Sequence, residues 1–327
     1  MNKQKIKIGR NFTNTFTIEA LDSETQQKVF ASNNLYTLNA YGMMKFKSNI
    51  EQMVELAVEL GIEHLELDCD VPSPYLETNQ KRRKQIRRLF EQNGITVSTH
   101  LPFTMSSCLN ICSLQELERK IAVAISRAHL QFAADIGSEC AVIHPGKIPF
   151  YFVAPEFAEK IHENIVKSLT YLAKYSSEHG VKLHLENNTV FNNIYVEVED
   201  CIRAVKDVRD AGGEIYFNFD IGHWITRAKQ NKILPDPVEN ILLQIPSDVV
   251  YEFHLNDYII ESDIFHPPLV EQLGELKIKN LENYAKLVRE LGVKLIVVET
   301  ALYNIDQIKN RYQIMRDEVK YLNKIFN

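Results

Sequence analysis

Cysteine is scarce in this chain. Five residues in 327, an odd number scattered from Cys69 to Cys201, exclude a disulfide framework as the basis of the fold. Cys108 and Cys112 lie four apart, but no second Cys or His pair follows at zinc-ribbon spacing, so reduced, mostly buried thiols are expected. Long hydrophobic runs are also absent: none approaches the ~18 residues that span a bilayer. The opening stretch MNKQKIKIGRNF carries positive charge without an apolar core or a small-residue cleavage site, so a cytoplasmic protein with no membrane partner is the expectation. There is no glycine-rich phosphate turn, because the interior pair Gly212-Gly213 precedes a strand rather than opening a helix. A net charge of −6 gives no global attraction to nucleic acid.

What the chain does have is a core and a rhythm. Hydrophobic residues make up 45% and charged residues 24%, enough apolar side chains for a large globular interior. Apolar, β-branched runs alternate with longer segments of helical period. Leu114, Leu117, Ile121, Ala124, Ile125, Ala128, Phe132 and Ile136 lie on one such stripe. Glycines close the helical segments at Leu60-Gly61, Asn93-Gly94, Ile136-Gly137, His179-Gly180, Gly212-Gly213 and Leu291-Gly292, where left-handed C-caps are expected. Counting a first strand near Ala40 gives eight strand–helix units with no Pro/Ser-rich linker. The expected fold is α/β, a single (β/α)8 TIM barrel over residues 34–327, with residues 1–33 as an N-terminal extension. An open doubly wound sheet is the alternative.

The acids and histidines fall at the ends of these runs. TVSTH, CAVIH, KLHLE, IYFNFD, VVYEFH and KLIVVE end on or beside His100, His144, Glu186, Asp220, His254 and Glu299, and from Asp68 onward successive ends lie 32 to 45 residues apart. Side chains alternate along a strand, so each terminal inward residue faces the barrel mouth. Glu186, Asp220, His254 and Glu299 come from the fifth to eighth strands. Together they offer hard oxygens and one imidazole to a divalent metal ion, Mn2+, Co2+, Mg2+ or Zn2+. A buried rim network of ion pairs is the competing reading, and it leaves acids unneutralised.

The motifs Ser98-Thr99-His100, His144-Pro145-Gly146, Leu185-Glu186-Asn187, Asp220-Ile221-Gly222-His223, His254-Leu255-Asn256-Asp257 and Val298-Glu299-Thr300 occur in an order that resembles the xylose-isomerase-like barrel superfamily. That superfamily holds sugar and sugar-phosphate isomerases and epimerases, and apurinic-site nucleases of the endonuclease IV type. The resemblance covers about residues 35–305. It implies that Glu186, Asp220, His254 and Glu299 bind one metal, with Glu186 and Glu299 also acting as catalytic acid and base on opposite faces of a small carbohydrate-like substrate. A proton beside the carbonyl is then removed through a metal-stabilised enediolate, in a sugar, sugar phosphate or related polyhydroxy carbonyl compound. His100, His144, His223 and His266 exceed a mononuclear site and are expected to bind substrate or additional metal.

The alternative branch is a multinuclear zinc hydrolase or phosphodiesterase of the apurinic-site type. Against it, Asp263-Ile264-Phe265-His266 is one residue longer than the D-x-H element of those nucleases. Leu273-Gly274-Glu275-Leu276 does not match their later glycine, and their N-terminal histidine and glycine-rich loop are not found near Tyr36–Met43. His184 is expected as a satisfied core histidine, and His64, His129, His162 and His179 as packing or surface residues. The run Lys81-Arg82-Arg83-Lys84 with Arg87 and Arg88 reads as a solvated helix face rather than a nucleic-acid surface. A homodimer is a candidate assembly, and Trp224 and Phe103 are candidates to wall the substrate.

Overall fold

The computed structural model describes residues 5–103 and 110–327; Cys108 lies outside them. The described residues form an eight-stranded parallel sheet: β1 Lys7–Asn11, β2 His64–Asp68, β3 Thr96–His100, β4 Cys140–Ile143, β5 Lys182–Glu186, β6 Ile215–Asn218, β7 Glu252–His254 and β8 Leu295–Val298. Their order is β6-β5-β4-β3-β2-β1-β8-β7. Parallel bridges Phe217–Val250 and Asp220–His254 join β6 to β7 and close the ring. The result is the expected TIM barrel.

Outside the ring run helices Ile50–Leu60, Gln80–Gln92, Glu116–Ile136, Pro155–Glu178, Val198–Asp210, Ile278–Leu291 and Arg311–Phe326. Leu183 and Leu185 of β5 join the apolar layer beneath them. The glycine stops adopt the left-handed conformation, as at Gly137 (φ 80°) and Gly292 (φ 82°). Between β6 and β7 the chain forms a 3-10 segment, Val238–Gln244, in place of a long helix. No helix of the described residues is long and apolar enough to cross a membrane.

The start of the barrel corrects the sequence reading. The strand expected near Ala40 is a helix, Leu35–Ser48, capped by the Asn34 side chain accepting from Tyr36 N. The first strand instead lies within residues 1–33, where KIGRN pairs with β8 on one side and β2 on the other. This segment has no apolar run because its inner face is filled by a neighbour: a Cβ at Gly9 would sit 2.5 Å from His64 Cδ2. His64 is accordingly no helix-side residue. It is fully buried on β2, with its ring nitrogens 2.8 and 3.0 Å from the hydroxyls of Thr96 and Ser98.

Arg10 of β1 is buried as well, and it ties the two ends of the chain together. Its Nη1 donates to Glu318 Oε2 at 2.6 Å, an oxygen that also accepts from Thr300 Oγ1 at 2.6 Å. The other oxygen, Oε1, accepts from Leu269 N at 2.6 Å. One carboxylate on the last helix thereby fixes the first strand, the segment after β8 and the loop before the Ile278–Leu291 helix. On the outer helix Gln80–Gln92, Arg82 pairs with Glu51, Arg83 with Asp135 and Arg87 with Glu91, which engages half of that basic run within the fold.

Removing one member of a buried ion pair leaves the other charged and unpaired. Glu318→Ala should therefore lower unfolding free energy by about 3–5 kcal/mol. Urea unfolding followed by circular dichroism measures this, and a loss below about 1 kcal/mol would show that Arg10 finds other partners.

Candidate metal centre

The C-terminal ends of the strands bring all eight sequence-predicted residues to one place. Glu186, Asp220 and His254 are fully buried, and His144 and His223 nearly so. Around Glu186, His100 Nε2 donates to Oε2 at 3.1 Å and His144 Nε2 lies 3.2 Å from the same oxygen. His254 Nδ1 stands 3.0 Å from Glu186 Oε1 and 3.4 Å from Glu299 Oε2. On the far side, His223 Nε2 and His266 Nε2 approach Asp220 Oδ2 at 3.8 and 3.9 Å.

Local structure explains how each ligand is aimed. Asp220 caps the short helix Ile221–Ile225, its Oδ1 accepting from His223 N at 2.9 Å, so the D-x-x-H spacing turns both side chains to the same side. His266 arrives by a different route. A two-residue antiparallel ladder, Tyr258–Ile259 with Ile264–Phe265, returns the chain to the rim. There His266 N donates to Asp257 O at 3.0 Å and Ala301 N donates to His266 O at 2.8 Å. Asp263 does not join the cluster: it accepts from the Tyr258 hydroxyl at 2.5 Å and pairs with Lys229 at 3.0 Å.

Three contributors escaped the sequence reading. Glu66, one inward position below the end of β2, places Oε2 3.3 Å from His254 Nε2. Asn256 donates from Nδ2 to Asp220 Oδ2 at 2.6 Å and to Glu299 Oε2 at 3.1 Å, while its Oδ1 accepts from Glu299 N at 2.9 Å. Asn187 locks the backbone of Asp220 from the other side, accepting from its N–H and donating to its carbonyl. The only sequence cue for the two amides was their place inside the L-E-N and H-L-N-D motifs.

Crowding these charges shifts their protonation. Burial opposes the charged form of His254, but Glu186, Glu66 and Glu299 outweigh it and hold the imidazole well above its ordinary range. His100 follows the same balance, burial against its hydrogen bond to Glu186, and is pushed up to about 10. For His144 burial prevails over Glu186 and lowers it to about 3. Burial also works against ionised Glu186, yet His254, His144 and His100 hold its carboxyl well below the carboxylate range.

The same donors suit a divalent cation. Ligand atoms of Glu186, Asp220, His254 and Glu299 lie within 4.8 Å of one another. So do two flanking groups: His100, His144 and Glu186, and Asp220, His223 and His266. His144 Nδ1 and His266 Nε2 are buried without hydrogen-bond partners, a condition native interiors avoid unless something binds there, and the nitrogens of His254 meet only carboxylates, Glu186 at 3.0 Å and Glu66 at 3.3 Å. Above the cluster opens a pocket of about 580 Å³, lined by residues including Asn11, Lys47, Asp68, Phe103 and Phe191. Phe103 stacks on His144 with ring centroids 4.0 Å apart. Trp224, the other aromatic candidate, is buried in the hydrophobic core instead.

Comparison with known proteins agrees with the fold. The sequence profile described as "Xylose isomerase-like TIM barrel" matches residues 54–325. The uncharacterized protein MJ1311 of Methanocaldococcus jannaschii is 24% identical over 284 residues, 85% of this chain and 89% of that protein. Among solved structures, a D-tagatose 3-epimerase-like protein superposes with a TM-score of 0.63 at 22% identity, covering 98% of this chain and 99% of that one. A D-psicose 3-epimerase crystallised in the presence of D-fructose gives 0.69 at 14% identity, with 98% and 99% covered. At these identities the two structures share the fold with this chain.

The amide of Asn256 orients two carboxylates at once. Asn256→Ala should therefore weaken the affinity of this cluster for Mn2+ or Co2+ by about 10- to 100-fold, as read by titration calorimetry on the folded variant; unchanged affinity would remove Asn256 from the site.

Proposed function

Because this chain belongs to the xylose isomerase-like TIM barrel family, we propose that it is a divalent-metal-dependent isomerase or epimerase of a small polyhydroxylated carbonyl compound. The observation that carries this reading is the convergence of Glu186, Asp220, His254 and Glu299 from four successive strands within 4.8 Å, beneath a pocket large enough for a sugar. When bound there, a divalent cation supplies Lewis acidity toward the oxygens of a neighbouring carbonyl and hydroxyl.

The chain's own residues would do the rest. One of the two glutamates takes the proton from the carbon beside the carbonyl, and the other returns a proton from the opposite face, inverting that carbon or moving the carbonyl. Asn256 holds Glu299 and Asp220 in register, and Glu66 sets His254 from below. Phe103 and Phe191 wall the pocket, while Lys47, Asp68 and Asn11 offer polar contacts to hydroxyl groups. The D-tagatose 3-epimerase-like protein and the D-psicose 3-epimerase whose folds superpose on this chain are both named for ketoses, which supports a ketose as the first substrate to try.

The two flanking ligand groups favour a second reading, a multinuclear zinc hydrolase or phosphodiesterase. His100 with His144, and His223 with His266, could each hold a further ion beside the central one. Asp263 weighs against it, because its carboxylate is engaged by Tyr258 and Lys229 rather than joining His266.

Metal counting and isotope exchange separate these readings. The isomerase should carry one ion per chain at the mouth, counted as the equivalents lost in Asp220→Asn, and should incorporate solvent deuterium into a ketose at the epimerised carbon. Three mouth ions with cleavage of a phosphodiester and no exchange would replace it with the hydrolase. Glu186→Gln and Glu299→Gln should each reduce turnover by about 10²- to 10⁴-fold, and full activity in either would remove that residue from acid–base duty.

A further inference from the structure

Below the mouth the barrel encloses a second group of ligand-type side chains. Cys140 on β4, His184 on β5 and Glu252 on β7 bring one donor atom each within 4.8 Å of the others. All three residues are 0% exposed. By strand alternation His184 lies one inward position beneath Glu186, and Glu252 one beneath His254. This lower group therefore shares strands with the mouth but no residue.

Three of its polar atoms have no partner. Both oxygens of Glu252 and Nε2 of His184 are buried without a hydrogen-bond partner, while His184 Nδ1 donates to Lys182 O at 3.2 Å, so His184 is only half the satisfied core histidine that the sequence suggests, and its free lone pair is on Nε2. His184 Nδ1 stands 3.9 Å from Glu252 Oε2, too far for a hydrogen bond. The three donors, within 4.8 Å of one another, instead suit ligands arranged around one ion at about 2.0–2.2 Å each. Cys140 packs against Leu295 and Val297, which stand level with Glu252 and His254 on the neighbouring strand.

We propose that Cys140, His184 and Glu252 form a second, structural metal site within the barrel that takes Zn2+ or a similar borderline-soft divalent ion. Thiolate, imidazole and a two-oxygen grip by Glu252 complete four donors. Cys140 binds as thiolate, its proton leaving to solvent. Because no ligand of the group reaches the surface, the ion enters while the barrel is folding and is then retained. It clamps β4, β5 and β7 together directly under Glu186 and His254. Among the described residues, the mouth ligand groups hold carboxylates and imidazoles and no thiol, so the two sites differ in chemistry as well as depth.

That difference supplies the test. Protein produced in cells supplied with Co2+ should show near-ultraviolet thiolate-to-cobalt charge-transfer absorption. The band should survive chelation and Asp220→Asn, both of which empty the mouth. Cys140→Ser should lose the band together with one cobalt equivalent per chain. His184→Gln keeps the thiol and gives an independent arm if the serine variant does not fold; it should lose the same equivalent. Cobalt-loaded wild-type protein without the band would overturn the proposal. So would a folded Cys140→Ser or His184→Gln protein that retains both the band and the full cobalt content.

Discussion

Charge balance inside a closed barrel is the constraint on which the rest of this structure depends. Glu66, Glu186 and Asp220 are buried at the C-terminal end of one parallel sheet, with Glu299 beside them at the pocket floor. Carboxylates so far from water must either sit beside positive charge or take up a proton, and burial pushes the Glu66 carboxyl up toward its neutral form. His254 and His100, held protonated by these neighbours, meet that demand with the same atoms that would ligate a cation. A proton and a cation bound there would compete for one set of lone pairs.

The surroundings serve to keep those lone pairs in place. Amides do most of the orienting because they offer a donor and an acceptor without adding charge: Asn256 spans Asp220 and Glu299, and Asn187 spans both backbone groups of Asp220. Asp257 plays a related part in the loop. Its carboxylate accepts from the backbone of Tyr258, Glu275 and Leu276, pinning the start of the excursion that delivers His266 to its end. A Cβ at Gly274 would lie 2.4 Å from that carboxylate, so glycine is required there for closeness rather than for backbone freedom.

Much of this was legible in the sequence, for a definite reason. A strand whose two faces both meet apolar packing must be a β-branched run, and an acid or histidine at its end stands out against that background. TVSTH, CAVIH and KLHLE announce both strand and ligand in five letters. The failures follow from the same rule. KIGRN is short and polar, since the ring of His64 fills the space beside Gly9 and Glu318 neutralises Arg10. Glu66 sits one inward position short of its strand end, so attention to the last residue pointed to Asp68. Asn256 and Asn187 carry no charge and could be ranked only by partners that the fold supplies. His266 and Asp263 looked like a displaced pair, and only the hydroxyl of Tyr258 shows that they are parted.

The ring of strands is not fastened evenly. Neighbours such as β2 and β3 share five registered residue pairs, whereas β6 and β7 meet through the isolated bridges at Phe217–Val250 and Asp220–His254. The chain termini, often the weak point of a barrel, are instead riveted by Arg10 and Glu318. The loosest joint therefore runs between two of the proposed ligands, and whatever grips Asp220 and His254 together also draws that joint shut. Occupancy and closure become a single equilibrium, so the breathing of the barrel wall, visible as amide exchange along β6 and β7, reports directly on whether the mouth is filled.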